Sequence, residues 1–152
     1  MFDDDILESV DAELKAGLVF TVDNVAPYIQ AIERGFPMAM NRIAWEKRPD
    51  AQKLEVFPVR SGERHANEVE RRLESLRGDV VKWLAQIEPS IEVVWIGDDT
   101  DIGLKMPLGC LLDRFPALFA LPQHSYVVPT DGSWCLNYVM EGELFYARSS
   151  PP

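Results

Sequence analysis

A chain of 152 residues, 47% hydrophobic and 26% charged, suits a single compact domain over 1–152 with a substantial core. Its formal net charge of −10 argues against nucleic acid or an anionic membrane as partner, since both need cations to neutralise phosphate. The charge is also uneven: residues 1–35 hold eight acids against two bases, 36–88 nine against ten, and 89–152 eight against three. Basic partners are therefore favoured, and the two acidic ends of the chain are where they are expected.

The opening Met1-Phe2-Asp3-Asp4-Asp5 lacks the basic and apolar regions of a secretory signal. The most apolar stretch, Leu104–Leu121, is interrupted by Lys105, Asp113 and Arg114 and is too charged to span a bilayer. Two cysteines without a signal read as reduced thiols, so a cytoplasmic location is expected.

Residues 4–15 predict a helix with an acidic first turn and an apolar stripe of Ile6, Leu7, Val10 and Leu14. Leu18–Val22 reads as a short strand or buried turn. Asp23 or Asn24 then caps a helix with Val25, Tyr28, Ile29 and Ile32 on one face and Gly35 at its end. Pro37 is placed to open a further helical segment reaching Trp45. Leu54–Val59 reads as a strand, near a sheet edge because of Pro58.

Residues 63–87 carry the clearest helical signal. Val69, Leu73, Leu76, Val80, Trp83 and Ile87 recur in steps of four and three, holding one apolar seam. Packing of that seam on a sheet is expected, with Glu68 and Arg72 paired on the outer side and Gly78 bending or splitting the helix. After Pro89, Ile91–Ile96 is almost uniformly apolar, as a strand covered on both faces should be. Residues 107–120 predict a helix broken at Pro116.

The end of the chain reads as a β-meander. Tyr126-Val127-Val128 leads into the turn Pro129-Thr130-Asp131-Gly132. Residues 134–140 then alternate, and Glu141-Gly142 turns into Leu144-Phe145-Tyr146. The fold class is α+β: a helical N-terminal half packed on a mainly antiparallel sheet that ends in this meander.

Few residues suggest chemistry. Gly97-Asp98-Asp99-Thr100-Asp101 follows the apolar strand, and carboxylates at a strand end can hold a divalent ion, so a small metal-dependent enzyme is one alternative. Asp99 and Asp101 also resemble the Asp-x-Asp element of glycosyltransferases. The plainer alternatives are a solvated turn or contacts to a basic partner. His65 and His124 are the only histidines, and a nucleophilic pair with Cys110 or Cys135 is weighed against burial of both thiols. Zinc spacing is absent. No catalytic residue, cofactor or metal is expected, and the chain is read as a non-enzyme. Tyr126, Trp134, Tyr138, Phe145 and Tyr146 are dense on one small sheet; they are read first as core, with a mixed role as core and exposed partner anchors as the alternative.

In size, acidity and texture, with the run Pro129–Tyr138, the chain resembles the immunity proteins of contact-dependent growth inhibition and related polymorphic toxin systems. That resemblance implies a bacterial cytoplasmic α+β protein binding one cognate, basic toxin domain, and a monomer when free. Carboxylates would stand in for phosphate in the cleft of a nuclease-like toxin. The expected contacts are Asp98, Asp99 and Asp101, with Asp131, Glu141 and Glu143 on the meander turns. A non-catalytic adaptor or chaperone using the 69–87 seam is the remaining alternative.

Overall fold

A computed structural model describes residues 3–57, 66–121 and 123–150. The expectations placed on Pro58 and His65 lie outside these residues. Two short helices, α1 (Asp3–Ser9) and α2 (Asp11–Lys15), precede strand β1 (Phe20–Val22) and helix α3 (Ala26–Gly35). The chain continues through β2 (Met38–Ala39), β3 (Arg42–Ile43), a 3₁₀ turn at Trp45–Lys47 and β4 (Gln52–Glu55). Helices α4 (Ala66–Ser75) and α5 (Arg77–Trp83) lead to β5 (Glu92–Gly97), β6 (Gly103–Pro107) and helix α6 (Leu108–Phe119). Strands β7 (Ser125–Pro129), β8 (Trp134–Val139) and β9 (Glu143–Arg148) form the meander.

The architecture is α+β. Seven strands form one antiparallel sheet in the order β1-β6-β5-β7-β8-β9-β4, and β2 with β3 makes a separate small hairpin. Strand alternation divides the core in two. Val93, Trp95, Val127, Leu136 and Tyr138 face one side, under α1, α4, α5 and α6. Val94, Ile96, Tyr126, Val128 and Cys135 face the other, under α3 and the Phe36–Trp45 segment. Strand β5 is thus covered on both faces, as its apolar run requires.

The 69–87 seam lies in the first core. Val69, Leu73 and Val80 are buried, Leu76, Trp83 and Ile87 pack against them, and Trp83 reaches the sheet to stack on Tyr146 at 6.2 Å. The seam is used internally, which leaves little of it for an adaptor's partner helix. The helix splits at Leu76, two residues before Gly78. Arg72 uses its guanidinium to donate to the Val56 carbonyl at 2.7 Å, tying α4 to the end of β4.

Two expectations fail for clear reasons. Residues 37–44 are not helical: Met40 and Asn41 adopt φ of 52° and 64°, which makes a tight hairpin turn between β2 and β3. Helix α6 runs unbroken through the buried Pro116. Proline removes the N–H that would bond the carbonyl four residues earlier, that of Leu112. Arg77 of α5 donates a guanidinium hydrogen to this carbonyl, and a second to the Asp113 carbonyl at 3.3 Å. Its carboxylate partner Glu74 holds the guanidinium through two bonds of 2.6 and 2.8 Å, and the Phe115 ring lies 5.5 Å away. A neighbouring helix therefore supplies the hydrogen bond that proline deletes.

The meander aromatics are all enclosed. Tyr126, Trp134 and Tyr138 are buried, and Phe145 and Tyr146 are half-buried. Tyr138 stacks on Phe119 at 6.2 Å and Phe145 on Trp45 at 5.0 Å. The core reading describes these aromatics, because α1, α4, α5 and α6 cover one face of the sheet and α3 with the Phe36–Trp45 segment covers the other.

Candidate partner-binding surface

Acidic residues from distant parts of the chain meet at one end of the sheet. The β5–β6 turn carries Asp98, Asp99 and Asp101, all exposed. The Asp101 N–H donates to the Asp3 Oδ1 at 3.0 Å, which seats the first turn of α1, with Asp4 and Asp5, beside that turn. Helix α1 is held there by Ile6 and Val10, both buried completely against the first core. Pairing of Val22 with Gly103 brings the exposed Asp23 to the same end. None of these seven carboxylates enters an ion pair among the described residues.

The turn itself is rigidly held. Asp98 exchanges two bonds with His124, donating its N–H to the carbonyl and accepting the His124 N–H on Oδ1, each at 3.0 Å. The Asp99 N–H donates to the Gln123 Oε1 at 2.8 Å, and the Thr100 hydroxyl donates to the Gly97 carbonyl at 3.2 Å. A Cβ at Gly97 would lie 2.3 Å from the Gln123 amide nitrogen, so any larger residue would displace the side chain that holds this turn. Buried Gln123 and His124 thus hold the backbone while leaving the carboxylates of Asp99 and Asp101 pointing at solvent.

The remaining expected contacts are placed differently. Asp131 sits in the β7–β8 turn at the opposite end of the sheet, where its carboxylate accepts the Ser133 N–H at 3.0 Å. A five-residue strand separates the two ends by roughly 17 Å. Glu141 and Glu143 lie at the acidic end laterally but are compensated, Glu141 by Arg42 at 3.6 Å and Glu143 by Lys53 at 2.7 Å. Sequence inspection misses Asp23 as part of the surface. Asp3–Asp5 read only as the acidic start of a helix, because contact across 98 positions has no local signature.

Two hollows flank this end. One, of about 620 Å³, lies between the Trp45 segment and the sheet and mixes Arg42, Arg48 and Lys53 with Glu46, Glu141 and Glu143. The other, of about 380 Å³, opens between α3 and the acidic turn and has carboxylates but no cation in its lining. His124 borders the larger hollow but is almost wholly buried, and its Nδ1 accepts the Met140 N–H at 3.3 Å. Burial, and then nearby Arg42, hold its pKa below the usual histidine value.

The thiols are placed for packing. Cys135 is fully buried in the second core, and burial pushes its pKa well up. Cys110 packs against the first core, on the other face of the sheet, and burial raises its pKa too. Neither environment favours a thiolate. Among the described residues no three His, Cys, Asp or Glu side chains converge as a metal site, so Asp98, Asp99 and Asp101 do not form one together. No helix among these residues is long and apolar enough to cross a membrane. Comparison with protein-family models, with curated proteins and with solved structures finds no match for this chain.

Proposed function

We propose that this protein binds and neutralises a basic protein partner, a toxin domain of nuclease-like charge, through the acidic end of its sheet. It would do so in the cytoplasm, as an immunity protein does. The observation that carries this reading is the Asp101–Asp3 hydrogen bond, which joins two acidic runs 98 positions apart into one uncompensated surface. Opposite fields of this kind speed association by about 10- to 1000-fold at low salt. The acidic groups sit on a turn already held by backbone bonds, so little ordering entropy is lost on contact.

The test is affinity capture from the native host at low salt, beside a bait carrying Asp3→Asn, Asp99→Asn and Asp101→Asn. One basic domain retained by the wild type, released by 0.5 M salt (a Debye length of roughly 4 Å) and absent from the neutralised bait, is the expected result. Co-expression should then suppress that domain's toxicity. Equal retention by both baits, or a partner that is acidic, would overturn the reading.

A further inference from the structure

The 380 Å³ pocket beside the acidic turn has a composition that selects its occupant. Its inner wall is apolar, built from Ile32, Ile96 and the Tyr126 ring, all buried in the second core, with Ile29 at its half-open side. Its only charged lining groups are Glu33 of α3 and Asp98 of the β5–β6 turn. Glu33 stands in the last turn of α3, where the helix dipole adds negative potential.

The polar atoms here are mainly acceptors. One Asp98 oxygen takes the His124 N–H and the other has no partner among the described residues. The Thr100 hydroxyl has already donated to Gly97, which leaves its oxygen to accept. Burial, reinforced by Cys135 and Asp98, keeps the Tyr126 hydroxyl protonated. An anion would meet two carboxylates, and a purely apolar group would strip both of water without compensation.

We propose that this pocket receives an arginine side chain of the basic partner, its aliphatic stem along Ile29 and Ile32 and its guanidinium between Asp98 and Glu33. The assignment rests on the partner-binding reading and names the anchor within it. Arginine fits better than lysine for two reasons. Its forked donors can serve separate acceptors at once, and its weakly hydrated head enters a half-buried site at smaller desolvation cost. The larger, charge-balanced hollow offers no comparable preference, since each of its cations stands beside a carboxylate.

The test uses the full chain and N-acetyl-L-arginine amide as probe, followed by amide chemical shifts. Saturable shifts are expected at Ile32, Glu33, Asn41, Thr100 and Tyr126. The neutral citrulline analogue, or a Glu33→Gln protein, should bind about tenfold more weakly, because a charge-assisted bond is lost. Ile29→Trp, which fills the mouth without changing charge, should abolish the shifts in a protein of unchanged fold. Shifts that never saturate, that are equal for citrulline, or that fall only on residues 3–5 and 99–101 would overturn the assignment. A captured partner that binds wild type and Ile29→Trp alike would remove the pocket from the interface and leave the acidic-surface reading standing. If no basic partner is captured while the arginine probe saturates the pocket, the acidic-surface reading fails instead.

Discussion

Of two regions at the same end of the sheet, one balances its charges and the other leaves them uncompensated. In the hollow around Trp45, Arg42 pairs with Glu141, Lys53 with Glu143, and Arg48 binds Asp50 through two bonds of 2.8 Å. At the β5–β6 turn, Asp99, Asp101 and the α1 carboxylates pair with no cation among the described residues. The first region balances its field within the chain and is tied into the core. The second concentrates charge on a held turn and gains nothing from it in the isolated protein, since like charges repel. The proposed basic partner would complete that second surface.

The largest effect is expected at Trp45. This residue stacks on Phe145, meets Phe36 edge-on at 5.7 Å, and donates Nε1–H to the Asn137 Oδ1 at 2.8 Å in the core. Trp45→Ala should cost about 3–5 kcal/mol in urea unfolding. Partner affinity of the fraction that remains folded should not change. If affinity falls with stability, the hollow belongs to the interface and the distinction drawn here is wrong.

Neutralising the acidic end should do the reverse. Asp3→Asn with Asp99→Asn and Asp101→Asn keeps an acceptor for the Asp101 N–H, so the melting temperature should hold or rise slightly. Association with the basic partner at low salt should slow by about tenfold or more, as stopped-flow mixing would show. A fall in melting temperature without a rate change would mean that these carboxylates serve the fold.

His124 joins the two regions, and its pH response should be smaller. Its folded pKa is depressed, so above the ordinary value of about 6.5 both folded and unfolded forms are neutral and nothing is lost. As pH falls below that value the unfolded chain takes the proton more readily, and stability declines. Thermal melts from pH 8 to 5 should show a steeper loss for wild type than for His124→Asn, whose amide oxygen can still accept from Met140. Parallel curves would mean that His124 is not the group responsible.

The smallest effect belongs to the compensated acids. The Arg42 and Glu141 side chains are about half exposed, so Glu141→Gln should change stability by at most about 1 kcal/mol and leave the association rate as it was. A large rate effect would return Glu141 to the binding surface.

Much of the framework is visible in local pattern. The 69–87 seam, the two-sided apolar strand read at 91–96 and the meander turns all depend on neighbours within a few residues. The hairpin at 38–43 is misread because Pro37 looks like a helix start, while the signal that matters is two consecutive residues at positive φ. Pro116 is misread because the compensating donor, Arg77, stands 39 positions earlier. The aromatic strand faces are legible as alternation, but what covers them is not. Alternation says that two sides exist and nothing about which segments lie upon them.

The candidate surface divides in the same way. Periodicity, turn residues and net charge, all local or additive properties, determined the α+β class, the acidic character and the clustering of Asp98, Asp99 and Asp101 in one turn. Tertiary structure alone decided that Asp3 and Asp23 join them, that Asp131 goes to the far end, and that Glu141 and Glu143 are compensated. It also decided that an apolar-walled pocket lined by Glu33 and Asp98 opens between α3 and that turn. The physical reason is long-range contact: β1 pairs with β6 and α1 packs beside the β5–β6 turn, and charge adds up or cancels only between groups which such contacts bring together.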